Sequence, residues 1–167
     1  MSQELAPKQP KPKSREQAQS ILMRQCARAE RCSSDALRSM HRWGVAPSEA
    51  REVLAYLQRE RFIDDERYAS AYVREKMRLS VWGPRKIAAQ LRAKQIAPEI
   101  VARAMEQLEP ERDVERLEQV LRRKLSHLTW RNPYDLRAKL VRFGLSRGFA
   151  MDDVMSVTEQ ILRESEL

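Results

Sequence analysis

RFIDDERYA, from Arg61 to Ala69, sets three carboxylates (Asp64, Asp65 and Glu66) in a row behind the apolar pair Phe62-Ile63. Such a run is either an acidic catalytic or metal-binding cluster or the beginning of a helix. The same shape returns as FAMDD, from Phe149 to Asp153. Recurrence of an apolar residue followed by acids fits helix starts. There a carboxylate accepts hydrogen bonds from free backbone N–H groups and meets the positive end of the helix dipole. Phe62 or Ile63 can pack back on the first turn. A metal site would need further ligands, but Cys26 and Cys32 lack CxxC spacing and His41 and His127 lie far apart. The stretch therefore reads as architecture, with Asp64 or Asp65 as a helix cap.

Composition points the same way. The 167 residues include only 4 Gly, and Ala, Leu, Glu, Arg and Gln favour helix. Apolar residues make up 42% but aromatic ones only 6%, so the core is aliphatic. The fold class is all-α. A net charge of +8 directs attention to a polyanion or an acidic protein surface. There is no 18-residue apolar run and no leading apolar segment. The expectation is a soluble cytoplasmic protein, without membrane contact, carrying two reduced thiols.

Residues 1–16 are rich in Pro and Lys and are expected to be disordered, because they cannot offset ordering entropy by burial. Three similar units follow, spanning residues 17–62, 63–110 and 111–167. In the first, a helix around Ala18 precedes one capped by Ser33, Ser34 or Asp35 and ended by Gly44. A third opens at Ala46-Pro47-Ser48-Glu49 and carries Val53, Leu54 and Leu57 at core spacing.

In the second unit, the helix begun by Asp64 or Asp65 carries Tyr68, Ala71, Tyr72, Lys76 and Leu79. Trp82-Gly83-Pro84 breaks the chain, with Pro84 in the first turn of a helix placing Ile87, Ala88 and Leu91 on one face. Ile96-Ala97-Pro98-Glu99 then matches Val45–Glu49. In the third unit, Trp130-Arg131-Asn132-Pro133 echoes Trp82–Pro84, with Asn132 as cap. A helix about one turn longer than its counterparts follows, and Asp152 or Asp153 starts the last one. Three tandem three-helix repeats, forming an elongated, curved array, account for this pattern.

Charge is segregated in blocks. Between Arg74 and Lys94, seven basic residues (Arg74, Lys76, Arg78, Arg85, Lys86, Arg92 and Lys94) face one acid, Glu75. From Glu99 to Glu118 there are seven acids and three arginines. From Arg122 to Arg147 there are eight basic residues against Asp135 alone. Arg85 and Arg92 fall on one face of their helix, and Lys139 and Arg142 lie off the stripe of Leu136, Leu140 and Phe143. Aligned middle helices would therefore carry a basic strip, here assigned to the seven residues above together with Lys139, Arg142 and Arg147. Solvated charge is the bland alternative. No Gly-rich phosphate loop, no nucleophile in a strand-turn-helix setting and no paired acid/base site is visible, so binding without a cofactor is expected rather than catalysis.

The middle and end of the chain resemble the RecX family, regulators of the bacterial recombinase RecA. The likeness rests on F62-I-D-D-E-R-Y-A69, on W82-G-P-R-K-I87 with L91-R-A-K94-Q-I96, and on L140-V-R-F-G-L-S-R-G-F149 with D152-D153. It covers about residues 18 to 162. Two positions depart from it, since Arg61 and Gln95 stand where the family commonly has Gly. If the backbone there is left-handed, each costs about 1 kcal/mol or more.

The resemblance implies an all-α fold of three tandem three-helix units. It also implies binding of RecA, especially its filament on single-stranded DNA, and suppression of ATPase, strand-exchange and co-protease activities; the chain itself is expected to act as a monomer, with single-stranded DNA as a secondary contact. Its motifs cover Arg85, Lys86, Lys94 and Arg147 of the strip. The competing expectation is a stand-alone DNA-binding protein of helix-turn-helix type, although few Asn or Gln residues of the middle helices suit base edges.

Overall fold

The structure, a computed structural model, describes residues 11–165. Among these residues it is all-helical, with nine α-helices and no strand. The first triplet is α1 (Arg15–Cys26), α2 (Ser33–Arg42) and α3 (Pro47–Arg59). The second is α4 (Asp65–Glu75), α5 (Pro84–Ala93) and α6 (Pro98–Met105). The third is α7 (Pro110–Leu125), α8 (Pro133–Ser146) and α9 (Met151–Glu164). No helix among the described residues is long and apolar enough to cross a membrane. The described residues form two compact units, divided between residues 68 and 69.

One turn geometry recurs between the second and third helix of every triplet. Gly44, Gln95 and Gly148 adopt positive φ of 74°, 57° and 91°. Their N–H groups donate to the carbonyls of His41, Arg92 and Leu145 at 3.0, 2.8 and 2.9 Å. The next residues, Val45, Ile96 and Phe149, donate further back to Met40, Leu91 and Gly144, and all three are buried. This is a Schellman closure: a left-handed residue reverses the chain and the following apolar side chain seals it. Ala46, Ala97 or Ala150 then opens the third helix. Arg61, with φ of 59°, closes α3 in the same way, its N–H reaching the Gln58 carbonyl and that of Phe62 the Leu57 carbonyl. Both positions where glycine was expected from the family likeness are thus left-handed.

The acids of the opening stretch divide their work. Asp64 caps α4, its Oδ1 accepting from the Arg67 N–H at 3.0 Å. Asp65 Oδ1 accepts from the Ser33 N–H at 2.8 Å, satisfying the start of another helix, α2. The expectation that Ser33, Ser34 or Asp35 caps α2 is corrected, because Cys32 holds that position and makes no side-chain cap. Asp152 and Asp153 do not cap α9 either. They lie exposed in its first turn, behind Ala150. Asn132 caps α8 as expected, accepting from the Asp135 N–H at 2.9 Å.

In the first unit Leu22, Met40, Val53, Leu57 and Ile63 form the core. Residues 1–10 of the expected tail lie outside the described residues. The end of that tail is corrected, since Ser14 caps α1 with a full capping box and the helix begins at Arg15. Lys13 N–H also donates to the Trp43 carbonyl at 2.9 Å.

In the second unit α7, α8 and α9 pack mutually around Leu117, Leu121, Val154 and Ile161, with Leu136, Leu140 and Leu162 alongside. α5 packs on α6, and Ile87 and Leu91 of α5 are fully buried. α8 has 14 residues where α5 has 10, the extra turn the sequence indicates.

Candidate binding groove of the second unit

α4 does not end in an ordinary turn. It runs into a π-helical turn, Lys76–Ser80, which stops at Val81 in a left-handed conformation with φ of 47°. A β-branched residue there is strained, and such strain persists only where the surroundings over-determine it. Here the third repeat supplies the constraint. The Arg147 guanidinium donates to the Ser80 carbonyl at 3.2 Å. In return the Gly83 N–H donates to the Arg147 carbonyl at 2.7 Å, and the Arg85 N–H donates to that of Gly148 at 3.0 Å.

Two glycines make this backbone approach possible. A Cβ on Gly83 would lie 2.5 Å from the Gly148 carbonyl, and one on Gly148 would lie 2.3 Å from Lys86 Cβ. The WGPRK and RGF motifs are therefore two halves of one joint between the second and third repeats.

Beside the joint lies an open groove of about 560 Å³. Leu79, Val81, Trp82, Val120 and Phe143 give it apolar walls, Arg123, Lys124 and Arg147 give it cations and His127 an imidazole, with no carboxylate in the lining among the described residues. The aromatic rings hold the cations in place. Lys76 and Lys86 ammonium groups lie 5.3 and 4.5 Å from the Trp82 ring centre. The Lys124 ammonium and the Arg147 guanidinium lie 5.1 and 5.0 Å from that of Phe143. Each cation–π contact adds attraction and limits the motion of a long side chain. Leu79, expected within the helix begun by Asp64 or Asp65, lies 72% exposed in the π-helical turn beside the groove.

The ten residues assigned to the basic strip fare differently. Lys76 and Lys86 meet over the ring of Trp82, which lines the groove together with Arg147. Arg74 and Arg78 line an adjoining depression of about 420 Å³, which shares Leu79 with the first. Arg74 also donates to Ser70 Oγ at 2.9 Å. Arg85 and Arg92 are exposed on α5, Arg142 is exposed on α8, and Lys94 is half-buried at the end of α5. Arg92, Lys94 and Arg142 line neither depression. Lys139 is a tie within the third repeat: its ammonium donates to the Thr129 carbonyl and the Asp135 carboxylate, both at 2.9 Å.

Sequence reasoning missed Trp82, Arg123, Lys124, His127 and Phe143 as groove residues. The available signal was the run Arg122-Arg123-Lys124, in which, among the described residues, Arg122 alone is neutralised, by Glu118 and Glu164. The thiols offer little chemistry, since burial pushes both Cys26 and Cys32 above the usual thiol range. Among the described residues no three His, Cys, Asp or Glu side chains gather as metal ligands.

Fold and groove define a tandem three-helix repeat protein whose built surface offers positive charge beside apolar walls. Residues 64–105 match the model of the second three-helix domain of RecX, and residues 111–158 that of the third. The chain belongs to the RecX family of regulatory proteins.

The regulatory protein RecX of Salmonella paratyphi A is 29% identical over 105 residues, 63% of this chain and 61% of that protein. The match thus spans under two thirds of that relative's length. The regulatory protein RecX of Geobacillus thermodenitrificans is 39% identical over 61 residues, 36% of this chain and 23% of that one. Among solved structures, RecX from Lactobacillus salivarius superposes with a TM-score of 0.71 at 19% identity, over 87% of this chain and 95% of that one. A second regulatory protein RecX gives a TM-score of 0.79 at 21% identity, over 87% and 73%. The structural likeness establishes the fold.

Proposed function

We propose that this chain binds the RecA filament on single-stranded DNA and lowers its ATPase, strand-exchange and co-protease activities. It acts as a cytoplasmic monomer, needs no cofactor, and makes DNA a secondary contact. Membership in a family of regulatory proteins supports the reading. The observation that carries it is the cationic groove, whose charges are fixed by aromatic rings and by the joint between the repeats.

The strip from Arg74 to Arg147 is the proposed contact surface, with Arg85 and Arg92 as its exposed charges on α5. A helix-turn-helix reader fits less well. It offers the N-terminal residues of its recognition helix to base edges, whereas the N-terminus of α5 already donates to the turn before α9.

RecA ATPase on single-stranded DNA, titrated with this protein at near-physiological salt, tests the proposal. Inhibition well below one molecule per RecA is expected. No inhibition together with tight, salt-sensitive binding to naked DNA would transfer the strip to nucleic acid alone.

A further inference from the structure

We infer that the groove beside the repeat joint takes an acidic peptide segment of a partner protein, anchored by one large apolar side chain. The inference rests on the filament-regulator reading and names what the protein component of that filament must present.

Three observations select this occupant over a nucleic-acid strand. First, single strands gain their non-electrostatic affinity by stacking bases on free aromatic rings. Trp82 and Phe143 each already carry two of the chain's own cations. Second, Leu79, Val81 and Val120 present aliphatic surface, and Leu79 is 72% exposed. A sugar-phosphate backbone has nothing apolar to place against it, whereas a Phe or Leu side chain does. A cavity of about 560 Å³ accommodates such a side chain and its neighbouring backbone. Third, the lining combines the cations Arg123, Lys124 and Arg147 with apolar residues, Lys124 and Arg147 lying against Phe143. That combination suits a short segment with carboxylates beside a hydrophobic anchor. Arg147 and Lys124 are held for the purpose, the first by the Ser80 carbonyl and both by Phe143.

The test uses the full chain and three fluorescent probes at about 150 mM salt. One is a twelve-residue peptide of Glu, Asp and Ser with a central Phe. The second replaces that Phe with Ala, and the third is a twelve-nucleotide oligothymidylate. Fluorescence anisotropy is expected to show the Phe peptide binding about tenfold tighter than either other probe, the usual worth of burying one aromatic side chain. Leu79→Ser, at an exposed position, should bring the Phe peptide to the affinity of the Ala peptide. Arg123→Glu with Lys124→Glu should weaken both peptides.

Equal affinity for the two peptides removes the apolar anchor and with it the inference, as does tighter binding of the oligonucleotide or no peptide binding at all. Comparison with the RecA ATPase assay separates the two proposals. Inhibition without peptide binding overturns the occupant and spares the regulator reading. Peptide binding without inhibition keeps the occupant and overturns the regulator reading.

Discussion

At the scale of single residues, the energetics concentrate where side chains occupy left-handed backbone. Arg61, Val81 and Gln95 are the non-glycine residues with positive φ among those described. An L-residue there costs about 1–2 kcal/mol, while glycine pays about 0.5–1 kcal/mol in extra chain entropy on folding. The balance favours glycine slightly for unbranched residues and more for β-branched ones. Gln95→Gly is therefore expected to raise stability by roughly 0.5–1 kcal/mol and Val81→Gly by about 1–2 kcal/mol. Both would appear as higher urea midpoints at unchanged slope, and an unchanged or lower midpoint for Gln95→Gly would contradict the strain account. Arg61 and Gln95 were legible beforehand, because the family likeness places glycine at both. Gln95 also aligns internally with Gly44 and Gly148. Val81 was not legible, since its conformation follows from a π-helical turn that leaves no hydrophobic period in the sequence.

At the scale of elements, the decisive contacts link helix ends distant in sequence. The start of α5 rests on the turn before α9 through the Gly83–Arg147 and Arg85–Gly148 hydrogen bonds. Gly83→Ala would drive a Cβ to 2.5 Å from the Gly148 backbone. Because backbone cannot rotate away as a side chain can, a loss above about 2 kcal/mol is expected. Faster hydrogen exchange at the Arg85 amide would report the opened joint, whereas an unaltered rate would show that the joint tolerates the methyl group.

The start of α8 offers a pH test. The Lys139 hydrogen bond, helped by the Arg131 N–H, holds the Asp135 carboxyl below its usual range. A carboxyl depressed on folding stabilises the protein above its unfolded pKa. That contribution disappears as the pH falls through the folded pKa. Lys139→Met is expected to raise the Asp135 pKa, seen by NMR titration, and to narrow the acid window over which this contribution is lost. Sequence showed the Asn132 cap because cap and recipient lie three residues apart. It hid the Asp65 bond to Ser33, which spans 32 positions.

At the scale of the whole molecule, segregated charge was the readable part of the candidate site and three-dimensional selection was the unreadable part. Arg122, Arg123 and Lys124 are consecutive and chemically alike. Yet Arg122 is neutralised by Glu118 and Glu164, while Arg123 and Lys124 line the groove. Lys139 is likewise bound to Asp135 rather than lining either depression.

This selection orders the expected effects on RecA inhibition. Arg123→Glu with Lys124→Glu places two anions where the groove has only cations, and should raise the inhibitory concentration by about tenfold or more. Arg85→Glu with Arg92→Glu alters exposed charge on one face of α5, and a smaller increase is expected, largest at low salt and shrinking as salt is added. Circular dichroism should show unchanged helix content for both pairs, since Arg85, Arg92 and Arg123 are exposed and Lys124 is only half-buried. If the α5 pair proves the more damaging, the contact surface is the outer face of α5 and not the groove. If neither pair alters inhibition, positive charge from this half of the molecule plays no part in recognition.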